Sequence, residues 1–325
     1  MVSIILICLL ASFLTSYLMV PLWARAARKV GLVGRDMNKP SKREVAEMGG
    51  VAVTAGFVAG VLTYIGLTTF YFKRTDGNLI YIFAALSTVL SVTIVGIIDD
   101  VLGWKAGLKQ WQKPLLTLPI ALPLMVVNAG ETTMSLPVLG TVNFGILYPL
   151  LIIPLALTGA ANGFNMLAGL NGLEAGMGAI ILAILGYVAW QTGAGWVAVL
   201  ALSMVFSLLA FLRYNWYPAR IFPGNTFTYT VGATIASVAI LGNMEKVAVV
   251  LYAPYFLELF LKARTGMRGE CYGTPREDGT LAPPGEIQSL THIVMGFGGL
   301  GERGVVAVIL LAQALLGASV IYLMV

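Results

Sequence analysis

Apolar residues fall along this chain in ten runs, at about 3–24, 50–71, 79–98, 112–128, 143–160, 173–192, 195–212, 226–243, 246–262 and 304–324. Most are near twenty residues long, enough to cross a bilayer as helices. The pattern predicts an all-α polytopic membrane protein of about ten transmembrane helices, with both termini on one side. Between the fourth and fifth runs, Gly130 to Asn143 is too polar to cross and alternates weakly around Pro137 and Gly140, which predicts a small hairpin on the outer face. The first run lacks a positive flank before it and a small-residue cleavage signature after it, so it reads as a retained span. No fixed-period repeat or separate soluble segment appears, and residues 1–325 read as one transmembrane domain.

Composition agrees: 58% of residues are hydrophobic and 11% charged, against roughly 25% charged in soluble domains. The charges are unevenly placed. Lys and Arg number seven in 25–45, three in 99–113, none in 161–172, two in 213–225 and five in 262–303, which is seventeen of the twenty. The other connections hold only Lys73, Arg74 and Lys246. By the positive-inside rule the connections at about 25–49, 99–111, 161–172, 213–225 and 263–303 face the cytoplasm and both termini face out. This asymmetry accounts for a pI near 9.2 without nucleic acid as a partner. Two cysteines, Cys8 in a span and Cys271 in a loop, are too few for a disulfide framework or a zinc site.

The unusual polar residues share the cytoplasmic side. Asp99 and Asp100 close the third run; NGFNMLAGLNGLE occupies 162–174 and NWYPARIFPGN 215–225. The lone histidine, His292, lies in the long last loop. Acidic residues at the mouth of a span are costly unless wet, paired or metal-bound, so they mark a site. A transporter would place its polar site near the midplane. A site at one surface indicates chemistry between a lipid and a water-soluble substrate. Adjacent aspartates with asparagines and lysines suit Mg²⁺ and phosphate oxygens, which leaves phosphosugar transfer and prenyl transfer both open. Other readings of single residues also stand: the asparagines as helix N-caps, Phe222 as an interfacial aromatic and Lys113 as a topology-setting lysine.

Taken together, the Asp99-Asp100-Val-Leu stretch with Lys109 beyond it, NGFNMLAGLNGLEAG and NWYPARIFPGNTF resemble the polyprenyl-phosphate N-acetylhexosamine-1-phosphate transferase superfamily. The likeness covers nearly the whole chain and favours the eukaryotic and archaeal branch, the UDP-GlcNAc:dolichyl-phosphate GlcNAc-1-phosphate transferases that tunicamycin inhibits. Ala168 and Asn171 stand where the bacterial phospho-MurNAc-pentapeptide branch has aspartates.

The resemblance implies a Mg²⁺-dependent transferase, with Mn²⁺ as the substitute ion. UDP-GlcNAc and a dolichyl or polyprenyl phosphate would be its substrates, for N-glycan or surface-glycan assembly. It implies catalytic roles for Asp99, Asp100, Lys109 and His292. Glu47, Asn162, Asn171, Phe222, Arg276 and Arg303 would bind substrate, and Asn165 and Asn225 would hold the metal. It further implies an integral membrane protein, in the plasma membrane if prokaryotic and by likeness archaeal, with its active site cytoplasmic; such proteins form homodimers. Two departures stand out. Asn225 replaces the family's metal-binding aspartate, and His292 lacks the family's neighbouring arginines or histidines, whose part falls to Arg276 or Arg303. The alternatives are another UDP-N-acetylhexosamine as donor, or a transporter or flippase.

Overall fold

The computed structural model describes residues 2–73, 77–106, 108–109, 111–136 and 140–324. Every one of the ten apolar runs is helical in whole or part. They form α1 (Val2–Lys29), α2 (Gly50–Gly66, extended by a π turn to Tyr71), α3 (Leu79–Ala106), α4 and α5 (Gln112–Thr117 and Leu122–Val126), and α6 (Ile153–Phe164, entered through a π turn). There follow α7 (Leu173–Gln191), α8 (Gly195–Asn215), α9 (Gly224–Leu241), α10 and α11 (Glu245–Leu251 and Ala253–Arg264), α12 (Leu290–Met295) and α13 (Glu302–Met324).

Six of these helices are long and apolar enough to cross a membrane: those beginning at Ser3, Gly50, Leu79, Leu173, Gly195 and Glu302. The others are interrupted or polar. Proline interrupts the fourth run: Pro119 and Pro123 leave a 3₁₀ turn between α4 and α5. The ninth run breaks at Tyr252, just before Pro254.

Helix α9 differs in kind. Thr226 to Leu241 are all buried, yet the helix carries Thr226, Thr228, Thr230, Thr234 and Ser237. Protein rather than lipid surrounds it, so hydroxyls are tolerated where they find partners. Thr93 and Thr230 share a 2.7 Å hydrogen bond, and the Thr234 hydroxyl donates to the Thr230 carbonyl. Glycines let its neighbours approach: a Cβ on Gly96 of α3 would lie 2.5 Å from Thr226 Cα, and one on Gly232 would lie 2.5 Å from the Ala160 carbonyl of α6. One continuous apolar core runs around it, from Val20 to Val320.

The expected hairpin is present: β3 (Thr133–Leu136) pairs antiparallel with β4 (Gly140–Asn143), Met134 opposite Val142. Pro137 and the rest of its turn lie outside the described residues, as does Arg74. Two further hairpins sit at the other, charge-rich connections. β1 (Val33–Arg35) pairs with β2 (Glu44–Ala46), and β5 (Thr274–Pro275) pairs with β6 (Leu281–Ala282). The fold is therefore mostly helical, with three small two-stranded ribbons.

Candidate active site

All five connections on the charge-rich side converge on one cavity of about 560 Å³ at one end of the bundle. Glu47 comes from the first, Asp99 and Asp100 from the second, Asn165 and Asn171 from the third, Phe222 and Asn225 from the fourth, and Tyr272 from the fifth.

Helix α3 delivers the aspartates and then breaks at Gly103, whose φ of 65° and ψ of 178° turn the chain back toward the cavity. That return lets the Leu108 N–H donate to Asp99 Oδ1 at 2.9 Å and sets Lys113 Nζ 2.9 Å from Asp99 Oδ2. The Tyr229 hydroxyl of α9 donates to the same oxygen at 3.3 Å. Asp99 is thus a buried carboxylate held by a cation and two donors.

Asp100 has a different task. Its Oδ1 accepts from the Asn225 N–H at 2.7 Å, and its Oδ2 accepts from the N–H and hydroxyl of Thr226 at 2.9 and 2.6 Å. It fills the donors left open at the N-terminus of α9, where a negative charge also meets the positive end of the helix dipole. Gly224, at φ 77°, lets that approach happen, since a Cβ there would lie 2.6 Å from Asp100 Oδ2. Beyond it, the Thr228 hydroxyl lies 2.8 Å from Asn165 Oδ1 and 3.2 Å from the Asn225 carbonyl, tying the third connection to α9.

Glu47 and Phe222 are set by the first and fourth connections gripping each other. The Phe222 N–H donates to the Ala46 carbonyl, and the Gly49 and Gly50 N–H groups donate to the Phe222 and Pro223 carbonyls. Burial, with Asp100 as a nearby like charge, raises the Glu47 carboxyl above the ordinary carboxylate range. Burial likewise pushes the Tyr272 phenol up to about 12.

Five of the residues singled out in the sequence do not line the cavity. Lys109 is exposed, with its backbone N–H bound to the Gln112 side chain. Asn162 donates to the Thr117 hydroxyl and the Thr158 carbonyl, both at 2.9 Å, which braces α6 against α4. Arg276 is exposed in the β5–β6 turn. Arg303 is exposed and stacks 4.8 Å from the Tyr217 ring centre while bonding the Tyr217 carbonyl. His292 is fully buried one layer back: Nε2 donates to the Tyr272 carbonyl at 2.9 Å and Nδ1 accepts from the Gln288 N–H. That pairing fixes the neutral tautomer, and burial holds its pKa below the usual histidine value.

The cavity also contains groups that the sequence did not distinguish. Arg35, Lys113 and Lys262 are its cations, and Asp36 and Glu174 are additional acids. Lys262 sits 3.5 Å from Glu258 one helical turn back and donates to the Met166 carbonyl. For Lys113 the only signal was its distance from Asp99. It could be read correctly only with the break at Gly103 known.

No three His, Cys, Asp or Glu side chains cluster to hold a metal among the described residues. Two asparagines of the lining add amide oxygens. Asn165 Oδ1 has spare acceptor capacity, and the half-buried Asn225 side chain lines the cavity with no protein hydrogen bond among the described residues. Such a set fits a hard cation that brings waters and shares phosphate oxygens with its ligand.

Fold and cavity together define a polytopic membrane protein with a polar, cation-lined pocket at one end of its helical bundle. A glycosyl transferase family 4 model matches residues 82–243. The chain is 41% identical over 307 residues to a Saccharolobus solfataricus protein provisionally named UDP-N-acetylglucosamine–dolichyl-phosphate N-acetylglucosaminephosphotransferase, covering 94% of this chain and 92% of that one. It is 29% identical over 348 residues to the Dictyostelium discoideum protein of that name, covering 93% and 84%. It is 27% identical over 263 residues to a Clostridium botulinum phospho-N-acetylmuramoyl-pentapeptide-transferase, covering 78% and 79%. This protein belongs to glycosyl transferase family 4.

Proposed function

We propose that this protein transfers GlcNAc-1-phosphate from UDP-GlcNAc to a dolichyl or related polyprenyl phosphate, giving GlcNAc-diphosphate-lipid and UMP. The observation that carries the reading is the meeting of all five connections of the Lys- and Arg-rich side in one cavity that offers three cations beside the amides of Asn165 and Asn225. The names of the archaeal and Dictyostelium relatives support the same substrates.

In the reaction an oxygen of the lipid phosphate attacks the sugar-linked phosphorus, a new P–O bond forms, and the bond to the uridylate oxygen breaks. Two anions must meet, so their charge has to be neutralised first. Lys113, Arg35 and Lys262 supply positive charge at the cavity wall. Asp99 holds Lys113 in place and offers a carboxylate oxygen for a proton on the lipid phosphate. Asp100 fixes the start of α9, and with it the direction of Asn225. Asn165 and Asn225 would hold Mg²⁺, which supplies Lewis-acid polarisation of the phosphoryl oxygens when bound.

The chain would cross the membrane ten times, with both termini outside and the cavity at the cytoplasmic face. The weight of Lys and Arg in the connections that form the cavity supports that orientation. The test is transfer of label from UDP-[¹⁴C]GlcNAc into organic-extractable lipid by purified protein with dolichyl phosphate and Mg²⁺. Label that requires Mg²⁺ and vanishes in Asp99→Ala is the expected result. No label, together with no UDP-GlcNAc binding by calorimetry, would overturn it.

A further inference from the structure

Helix α1 has 28 residues and is about 42 Å long, roughly 12 Å more than a hydrocarbon core. It is apolar from its start, so the excess length emerges at the other end. There, at the level of the lipid headgroups, it carries Arg25, Arg28 and Lys29, all exposed. Helix α8 packs against α1 and brings Arg213 in its own last turn, with Arg220 just beyond. The two basic ends touch: the Arg28 guanidinium donates to the Arg220 carbonyl at 3.3 Å, across 192 positions of the chain. The charges of Arg213 and Arg220 both reach the Tyr214 hydroxyl, which donates to the Tyr17 carbonyl of α1 at 3.2 Å.

No acid answers these charges among the described residues. Residues 1–35 and 175–244 contain no Asp or Glu. In the adjoining first connection Asp36 is held by Lys39, which also pairs with Glu302, and Glu47 lines the cavity. All four ion pairs among the described residues use lysine, so Arg25, Arg28, Arg213 and Arg220 take part in none, nor does Glu44. Orientation in a membrane requires basic residues somewhere in a connection. It does not require two arginines from distant parts of the sequence to meet without a counter-charge. Gathering like charges is unfavourable unless an anion offsets it.

We propose that Arg28, Arg213 and Arg220 bind the headgroup phosphate of an anionic membrane phospholipid. A guanidinium offers paired N–H groups that match phosphate oxygens, and basic pockets between spans at headgroup level suit acidic lipids. The adjoining surface is apolar. Leu209 lies one turn from Arg213 on α8, Leu18 and Leu22 lead along α1 toward Arg25, and all three are exposed to meet acyl chains. Tyr17 and Trp216, also exposed, are aromatic residues of the kind that favour this boundary. The lipid is one of the bilayer and not the acceptor of the transfer reaction, because none of the three arginines lines the cavity. The inference goes beyond the transfer reading and needs only that α1 and α8, both long and apolar enough, span the membrane.

Native mass spectrometry of the full-length protein in detergent, with phosphatidylglycerol and phosphatidylcholine of the same acyl chains, tests this. The unaltered protein should hold phosphatidylglycerol at least roughly tenfold more tightly. Arg28→Gln combined with Arg220→Gln should bring the two lipids within about threefold. The same loss of two charges at Arg268 and Arg276, exposed in the last connection, should leave the preference as it was. If the first pair does not fold, Arg213→Gln decides: its side chain is exposed at the end of α8, and its loss should lower the preference by at least about threefold. An unchanged preference in these variants, or an equal loss in both pairs, overturns the proposal, as does the absence of any preference in the unaltered protein. Displacement of phosphatidylglycerol by an equal amount of dolichyl phosphate also overturns it, since the site would then belong to the acceptor. Failure of label transfer from UDP-GlcNAc leaves this proposal standing, and loss of the lipid preference leaves the transfer reading standing.

Discussion

Lys113 Nζ stands 2.9 Å from Asp99 Oδ2, both side chains withdrawn from solvent, while Lys109 points outward one helical turn earlier in the chain. Of the two lysines, only Lys113 is placed to neutralise a phosphate in the cavity. Lys113→Met should therefore lower kcat/KM for UDP-GlcNAc by roughly a hundredfold, as loss of one preorganised charge does. Lys109→Met should leave it within about twofold. Removing Lys113 also strands a buried carboxylate, so rates are to be compared between variants whose melting shows them folded. A large effect at Lys109 and none at Lys113 would reverse the assignment.

The two adjacent aspartates should fail in different ways. Asp100 accepts three hydrogen bonds from the first residues of α9, 125 and 126 positions away in the chain. Asp100→Ala leaves those donors unpaired at a cost of about 1–3 kcal/mol. A Tm clearly below that of the unaltered protein in the same detergent is expected. Asp99→Ala also frees Lys113, but it should abolish transfer before it unfolds the protein. Equal Tm losses with equal residual activities would mean that the two carboxylates share one task.

This division of labour marks where sequence stops being legible. The apolar runs, the hairpin at 130–143 and the gathering of polar motifs on one side could be read because each depends on local pattern and on one global rule about charge. Asp99-Asp100 could be read as a site because acids at a span's end are costly. Which aspartate meets which partner could not, since the break at Gly103 and the N-terminus of α9 decide it. Asp36, Lys39 and Glu302 were overlooked for the same reason: 263 residues separate the Lys39–Glu302 pair, and alone each looks like an ordinary loop charge. His292 drew notice by being the only histidine, a property of composition that says nothing of the layer it occupies.

His292 makes stability depend on pH with a defined sign. Its pKa in the folded protein lies below the unfolded value because burial disfavours the imidazolium, so the unfolded chain binds more protons. The stabilisation from neutral His292 is then complete above the unfolded pKa of about 6.5 and is lost as pH falls below it. Tm measured from pH 7.5 to pH 5 should fall more steeply for the unaltered protein than for His292→Gln. Parallel curves would show that the imidazole takes up its proton alike in the folded and unfolded chain.

Asn225 offers the most direct test of how a metal ion is held. Its side chain lines the cavity without a protein hydrogen bond among the described residues, next to Thr226, whose N–H binds Asp100. An amide oxygen contributes a dipole where a carboxylate would contribute a charge, and affinity for hard cations rises with the charge of the ligand set. Asn225→Asp should tighten Mn²⁺ binding by roughly tenfold or more, read by electron paramagnetic resonance of the free ion with no nucleotide present. The backbone bond from Asn225 to Asp100 survives the substitution, so Tm should change little. The new carboxylate would share the cavity with Asp100 and Glu47, and that repulsion is relieved once the ion is bound. Mn²⁺ should therefore raise the Tm of Asn225→Asp more than that of the unaltered protein. Equal Mn²⁺ affinity in the two proteins would place the metal elsewhere in the cavity and leave Asn225 as the first residue of a capped helix.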